Sequence, residues 1–277
     1  MNHPLTAEAI KLFQENASQY RNEAILSIEP IHCGYTNQSF LLTTEYHKFQ
    51  IRLGQNNSIV SRQNEATILK IIQDQYFLYY DVNNGNAVKH WIEGEPLLDY
   101  YNTHNHNLDE NIIDELLTKI QNLHQIQDAN LNKVIPHDYF VFFNNNHDLS
   151  IKHKNKYVEL VNKWVHSKPW TLSHNDLNLQ NILINPNQEL IFIDYEWGRI
   201  NHPYWDIANF IRESQLELTV VQMIADKMHI NYQELLEFMY ICTNFAYQWT
   251  FSTSYSEAIQ KYREKTLKLL ESYFQLL

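Results

Sequence analysis

The stretch HNDLNLQNILINPNQELIFIDYE, residues 174–196, places Asp176 five residues before Asn181 and ends an apolar run at Asp194. One carboxylate can accept or orient a hydroxyl proton. An amide oxygen and a second carboxylate can hold Mg²⁺ on a nucleotide. Together these are the minimum for phosphoryl transfer in the protein-kinase manner, where positioning and charge neutralisation supply most of the catalysis. Asp176 is read as the catalytic base or hydroxyl-positioning group, and Asn181 and Asp194 as the metal ligands. An Asx-rich turn between strands is the plainer reading of the Asp176–Asn181 spacing alone. Asp194 shifts the balance, because a strand-loop-strand hairpin brings it to the same end as Asn181.

Downstream, HPYWDIANFIRES carries Asp206, Asn209 and Glu213 at i, i+3 and i+7, on one face of a helix. Asp206 is expected to brace the catalytic loop or to border a substrate site, and Glu213 to lie near a cationic substrate. Further helices are expected over residues 217–228, 232–251 and 256–276. The third of these four is crowded with aromatics, among them Tyr240, Phe245 and Trp249. An aromatic and acidic pocket binds quaternary ammonium groups through cation–π contacts, which makes Trp249 a candidate wall, although such a stripe is more often core.

Upstream, the pattern changes. A short amphipathic helix over Thr6–Asn16 precedes strand-like runs at 25–32, 39–44 and 47–53, a helix over 58–73, and short strands at Phe77–Tyr80 and 86–92. An antiparallel sheet with one main helix follows, an α+β lobe. Arg52 closes its third strand, and Glu65 lies 13 residues later on the helix, the arrangement of a kinase strand cation and its helix carboxylate. The turn Gly34-Tyr35-Thr36-Asn37 sits where kinases fold a phosphate-covering loop. Its backbone, Thr36 and Asn37 are candidates for phosphate contact. The lobes are expected to divide at residues 93–94: a nucleotide-binding lobe of 1–93, and a mostly helical catalytic and substrate-binding lobe of 94–277. Helices are expected at 108–126 and 156–167, and loops in the Asn-rich tracts near 102–107 and 144–146.

The net charge of −11 argues against a general nucleic-acid partner and is compatible with a cationic substrate. Cys33 and Cys242 form no metal-binding or disulfide pattern, so a reduced, cytoplasmic setting is expected. The opening MNHPLTAEAIKLFQ has no basic segment followed by an apolar one, and no apolar run approaches the roughly 20 residues of a membrane helix. Neither a signal peptide nor membrane insertion is expected. Nothing in the chain indicates an oligomeric state.

These pieces resemble one family. HNDLNLQNILI resembles the H-N-D-x-x-x-x-N-I catalytic loop of the choline/ethanolamine kinases, within the broader aminoglycoside-phosphotransferase-like group. IDYEWG resembles their metal-binding segment, WDIANFIRE their following helix, GYTNQSF their phosphate-covering turn, and IRLG their strand ending in Arg. The resemblance spans about residues 31–213. It implies a bilobal protein-kinase-like fold and ATP- and Mg²⁺-dependent phosphorylation of a small cationic alcohol. It implies Asp176 as base, Asn181 and Asp194 on Mg²⁺, and Arg52 with Glu65 on the ATP phosphates. Carboxylates and aromatics of that family hold the amino-alcohol, which fits Glu196, Glu213 and Trp249. The late helix lacks a W-x-x-W pair, so thiamine and aminoglycosides stay open as acceptors beside choline and ethanolamine. A nucleotide-binding pseudokinase is the non-catalytic alternative.

Overall fold

Alternation of apolar and polar residues at period two builds the first sheet. The protein is described from a computed structural model over residues 4–31, 37–55, 60–145, 149–166 and 170–277. Strands β1 (Ile25–Ile31), β2 (Asn37–Thr44), β3 (Lys48–Gly54), β4 (Phe77–Tyr80) and β5 (Ala87–His90) form an antiparallel sheet in the order β1-β2-β3-β5-β4. Phe49, Ile51 and Leu53 of β3 and Phe40 and Leu42 of β2 point to one face. There they bury against Ala9, Leu12 and Phe13 of helix α1 (Thr6–Asn16). Gln50 and Arg52 therefore point to the other face. Helix α2 (Arg62–Ile71) starts on Ser61, whose hydroxyl accepts the Asn64 N–H at 3.2 Å. Contacts divide the chain into two units. The first is Met1–Gly94 with Asn132–Val134 and Tyr195–Trp197, and the last of these segments packs on α2.

The second unit is mostly helical: α3 (Leu97–Thr103), α4 (Glu110–His124), α5 (Ile151–Val165), α6 (Tyr204–Ser214), α7 (Leu218–Met228), α8 (Tyr232–Trp249) and α9 (Glu257–Phe274). Helix α8 is buried on nearly every side, including Tyr240, Phe245 and Tyr247, and α5, α6, α7 and α9 pack around it. A helix apolar all round takes the centre of such a bundle. Short strands β6 (Glu95–Pro96), β8 (Ile182–Ile184) and β9 (Leu190–Phe192) form one ribbon, and β7 (Thr171–Ser173) pairs with β10 (Arg199–Asn201). Among the described residues no helix is long and apolar enough to cross a membrane.

Some elements depart from the sequence pattern for physical reasons. Helix α5 begins five residues before its expected start at 156, because its first buried side chain is His153, which hydrogen-bonds Tyr240 at 2.9 Å and reads as polar in the sequence. Part of the Asn-rich tract at 102–107 is the end of α3, which is anchored by buried Leu97 and by the Leu98 N–H donating to the Leu179 carbonyl at 3.0 Å. Strand β10 is three residues long, too short to show any alternation. Residues Gly34 and Thr36, expected to cover phosphates, lie outside the described residues, as do Cys33 and part of the tract at 144–146.

Phe49 has no exposed surface and packs its ring 4.8 Å from Phe13 and 4.9 Å from Tyr20. Phe49→Ala is expected to destabilise the first unit by about 3–5 kcal/mol, measured by urea unfolding.

Candidate active site

The loop between β7 and β8 carries the residues that the sequence singled out, and α6 holds it from below. Asp206, on the first turn of α6, is fully buried. Its Oδ2 accepts the His174 N–H at 3.0 Å and its Oδ1 the Asn175 N–H at 2.8 Å. The His124 imidazole of α4 donates Nε2–H to Oδ2 at 2.9 Å. Burial alone would raise the Asp206 carboxyl, but His124, His174 and the Asn175 amide hold it below its ordinary value. Trp205 Nε1–H donates to the Asn175 carbonyl at 3.0 Å, and Asn209 Nδ2 donates to the Leu177 carbonyl at 3.0 Å. Of the two places expected for Asp206, this geometry fits the brace: its carboxylate is shielded from solvent and bonds the loop backbone.

Held in this way, the chain turns sharply. Asn175 has φ +65°, the left-handed region in which glycine is easiest and Asn is tolerated, and its side-chain oxygen accepts from Asn201 Nδ2 at 2.8 Å. His174 is fully buried and its Nε2–H donates to the Ile193 carbonyl at 2.8 Å, tying the loop to the end of β9. Burial lowers the His174 imidazole, which therefore acts as a neutral donor. Asp176 follows, half-buried. Asn181 Nδ2 donates to its Oδ2 at 3.0 Å and to its carbonyl at 2.9 Å, and Asn178 folds an Asx turn between them.

Antiparallel pairing of β8 with β9 sets Ile182 opposite Phe192, and the Ile193 N–H donates to the Asn181 carbonyl at 3.0 Å. Asn181 and Asp194 thus flank the same end of the hairpin. Asp194 is exposed, with φ +66°. The oxygens available are hard donors suited to Mg²⁺: because Asn181 gives its amide N–H to Asp176, its oxygen is the group left to present elsewhere. Among the described residues no three His, Cys, Asp or Glu side chains form a metal cage. A Mg²⁺ ion would need the phosphates and water that complete its usual coordination.

Further along α6, Arg212 bonds Asn209 through Nε and Nη2 and pairs with Glu213 through Nη1 at 2.8 Å. Tyr262 of α9 donates its hydroxyl to Glu213, and Trp249 meets the Tyr262 ring edge-on at 6.1 Å. Burial pushes the Glu213 carboxyl up, but Arg212 and the Tyr262 hydroxyl leave it below its ordinary value. Glu213 and Trp249, expected as substrate residues, are thus joined through Tyr262, which the sequence reading missed. No spacing signal connects α9 to α6.

In the first unit, Arg52 Nη1 donates to Glu65 Oε1 at 2.8 Å, and both side chains are buried. Burial raises the Glu65 carboxyl, but Arg52, Tyr80 and Arg62 offset this and hold it low. Arg62, also missed by the sequence reading, donates to Glu65 Oε2 and to Glu196 Oε2, each at 3.0 Å. Glu196 is only 4% exposed and also accepts from Asn37 Nδ2 at 3.0 Å. Glu196, expected at the amino-alcohol, thus has its carboxylate enclosed in an ion network. The Asn37 side chain is engaged at both ends, since its oxygen accepts from Arg62 Nη2 at 2.8 Å.

Comparison with known proteins agrees with this frame. The model of the family described as Choline/ethanolamine kinase matches residues 28–258. The chain belongs to the choline/ethanolamine kinase family. An uncharacterized MG356 homolog from Mycoplasma pneumoniae is 29% identical over 259 residues, covering 92% of this chain and 88% of that protein. Choline kinase LicA from Streptococcus pneumoniae superposes with TM-score 0.74 at 17% identity, covering 96% of this chain and 100% of that one. The streptomycin–ATP ternary complex of APH(2″)-IIa gives TM-score 0.60 at 16% identity, covering 99% and 97%. The fold is the protein-kinase-like α+β fold of these enzymes. Family membership supports a phosphotransferase acting on a small molecule.

Burial pushes His137 down to about 3 and His202 down to about 4, from 6.5. Both are neutral in the folded protein, so below about pH 6.5 the unfolded chain takes up protons that the folded one refuses. The melting temperature is expected to fall as pH drops from 6.5 towards 4. His202→Gln, which keeps an acceptor for the Tyr204 N–H, should make that decline shallower. Asp206→Ala removes the buried acceptor under the loop and is expected to cost roughly 3–5 kcal/mol in urea unfolding.

Proposed function

We propose that this protein transfers the γ-phosphate of ATP to the hydroxyl of choline or a similar small amino-alcohol, giving the phosphomonoester and ADP. Residues 1–93 would form the nucleotide-binding lobe and 94–277 the catalytic and substrate lobe. The observation that carries the reading is the Asp176 loop: α6 fixes its backbone, Asn181 fixes its carboxylate, and the β8–β9 hairpin sets Asn181 and Asp194 at one end.

In this reading Asp176 accepts a hydrogen bond from the acceptor hydroxyl and orients it for in-line attack on the γ-phosphate. Mg²⁺, when bound, would neutralise charge that develops on the phosphate oxygens. Asn181 and Asp194 would hold it with their oxygens. Arg52, locked by Glu65, would direct its guanidinium at phosphate, a role suited to its planar fork. The cation of the acceptor would be met by Glu213, held ionised by its neighbours, with Tyr262 and Trp249 as aromatic walls. ATP as donor is supported by the solved relatives, one carrying AMP and another ATP with streptomycin.

The test is ADP release with Mg·ATP against choline, ethanolamine, thiamine and kanamycin. Turnover with choline or ethanolamine well above the other two is the expected result. Asp176→Ala should lower turnover by at least about a hundredfold, the scale of general acid–base and positioning effects, while Mg·ATP still raises the melting temperature. Undiminished turnover in that variant would remove Asp176 from the chemistry. A preference for kanamycin or thiamine would replace the acceptor. Nucleotide binding without turnover on any of the four would favour a pseudokinase.

A further inference from the structure

Arg62 is the first residue of α2, where a cation opposes the helix dipole. Helix stability does not explain it, so the reason for it must be tertiary. Its side chain is 4% exposed and makes four bonds to different parts of the first unit. Nη1 donates to Glu65 Oε2 and Glu196 Oε2, and Nη2 donates to Asn37 Oδ1 at 2.8 Å and to the Gln55 carbonyl at 3.0 Å. Tyr80 adds a hydroxyl on Glu65 Oε2 at 2.7 Å, which leaves Oε1 for Arg52. Arg52 Nε donates in turn to the Gly85 carbonyl at 2.9 Å. Gly85 has φ +80°, and a Cβ there would lie 2.4 Å from Arg62 Nε. The turn before β5 thus has room for the Arg62 side chain because residue 85 is glycine.

Two arginines and two glutamates close this network within one unit. A buried ion network contributes little net stability over an apolar replacement of the same shape, so folding is a weak reason for it. What it does accomplish is geometric. It fixes the residue that opens β2 (Asn37), the cation of β3 (Arg52), the carboxylate of α2 (Glu65), and the segment that follows Asp194 in the chain (Glu196).

We infer that Arg62 is a positioning residue for Mg·ATP: it divides Glu65 between itself and Arg52 and clamps Glu196 and Asn37, so that the phosphate-facing groups have one arrangement. This rests on the nucleotide reading above. Without Arg62, Glu196 is a buried carboxylate that has lost a charged donor, and Glu65 is free to swing both oxygens towards Arg52.

The experiment is calorimetric titration with Mg·AMPPNP, which does not hydrolyse, on the full chain. Arg62→Lys keeps the charge but cannot span four acceptors. Its Kd is expected to weaken on the order of tenfold, the scale of coupling within one hydrogen-bonded network. Glu196→Gln, isosteric and still able to accept from Arg62, should weaken binding by a smaller factor. The double variant should lose less than the product of the two single losses. The KM for choline, measured in parallel, should stay within about twofold of wild type, since the effect is on nucleotide binding. Variants that melt at lower temperature yet bind Mg·AMPPNP with the wild-type Kd would make Arg62 merely structural and overturn the inference. Failure of Arg62→Lys to fold leaves the Glu196→Gln comparison to decide. A wild-type protein that does not bind Mg·AMPPNP would overturn the nucleotide reading and this inference together. Absence of turnover with choline touches only the acceptor, because the Kd comparison is made without one.

Discussion

The backbone of residues 174–181 leaves β7 without a ladder to bond to, and buried amides left unpaired cost about 1–3 kcal/mol each. Asp206 answers that constraint: one carboxylate accepts from two consecutive loop amides. Once it is in place, much else follows. Its charge has no solvent to stabilise it, so a donor has to reach it, and α4 supplies His124 from its last turn. The face of α6 that carries Asp206 also supplies Asn209, and the neighbouring Trp205 adds its indole N–H, so α6 bonds the loop along two turns. The central helix α8 packs behind α6 and fixes its depth. The conformation of Asn175, unfavourable for most side chains, persists because amide, carbonyl and side chain are each bonded.

A second constraint of the same kind operates in the first unit. There Glu65 and Glu196 are buried carboxylates, and two guanidinium groups with their rigid forks satisfy them. In both units charge is buried only where several directional bonds converge on it. The two sets of residues credited with the chemistry sit on top of such frames: Asp176 above Asp206, and Arg52 beside Arg62. In the proposed reading, the rigidity that phosphoryl transfer demands is thereby placed in groups that need not touch a substrate.

The cluster proposed to meet the acceptor is built differently. Around Glu213 the carboxylate is already balanced by Arg212, and aromatic contact comes from Tyr262 and Trp249 on separate helices. Small changes in how α9 lies on α8 would alter that cluster without touching the loop.

The sequence by itself determined the elements whose periodicity is long or whose chemistry is dense: the five-stranded sheet, most of the helices, the loop from His174 to Asn181, the hairpin to Asp194, and the facing of Arg52 towards Glu65. Short-range geometry suffices for these, because a period of two or 3.6 residues fixes which side chains share a face. Tertiary structure alone decided which polar groups meet across long separations. Asp206 and Glu213 share one face of α6, yet one is sealed under the loop by His124 and the other paired with Tyr262, 49 residues away. Glu196 stands two residues from Asp194, yet it is turned into an ion network with Arg62, 134 residues away. Helix and strand periods carry no information about such partners. They are chosen by burial, which forces each enclosed charge to find whatever donor the packed chain brings within reach.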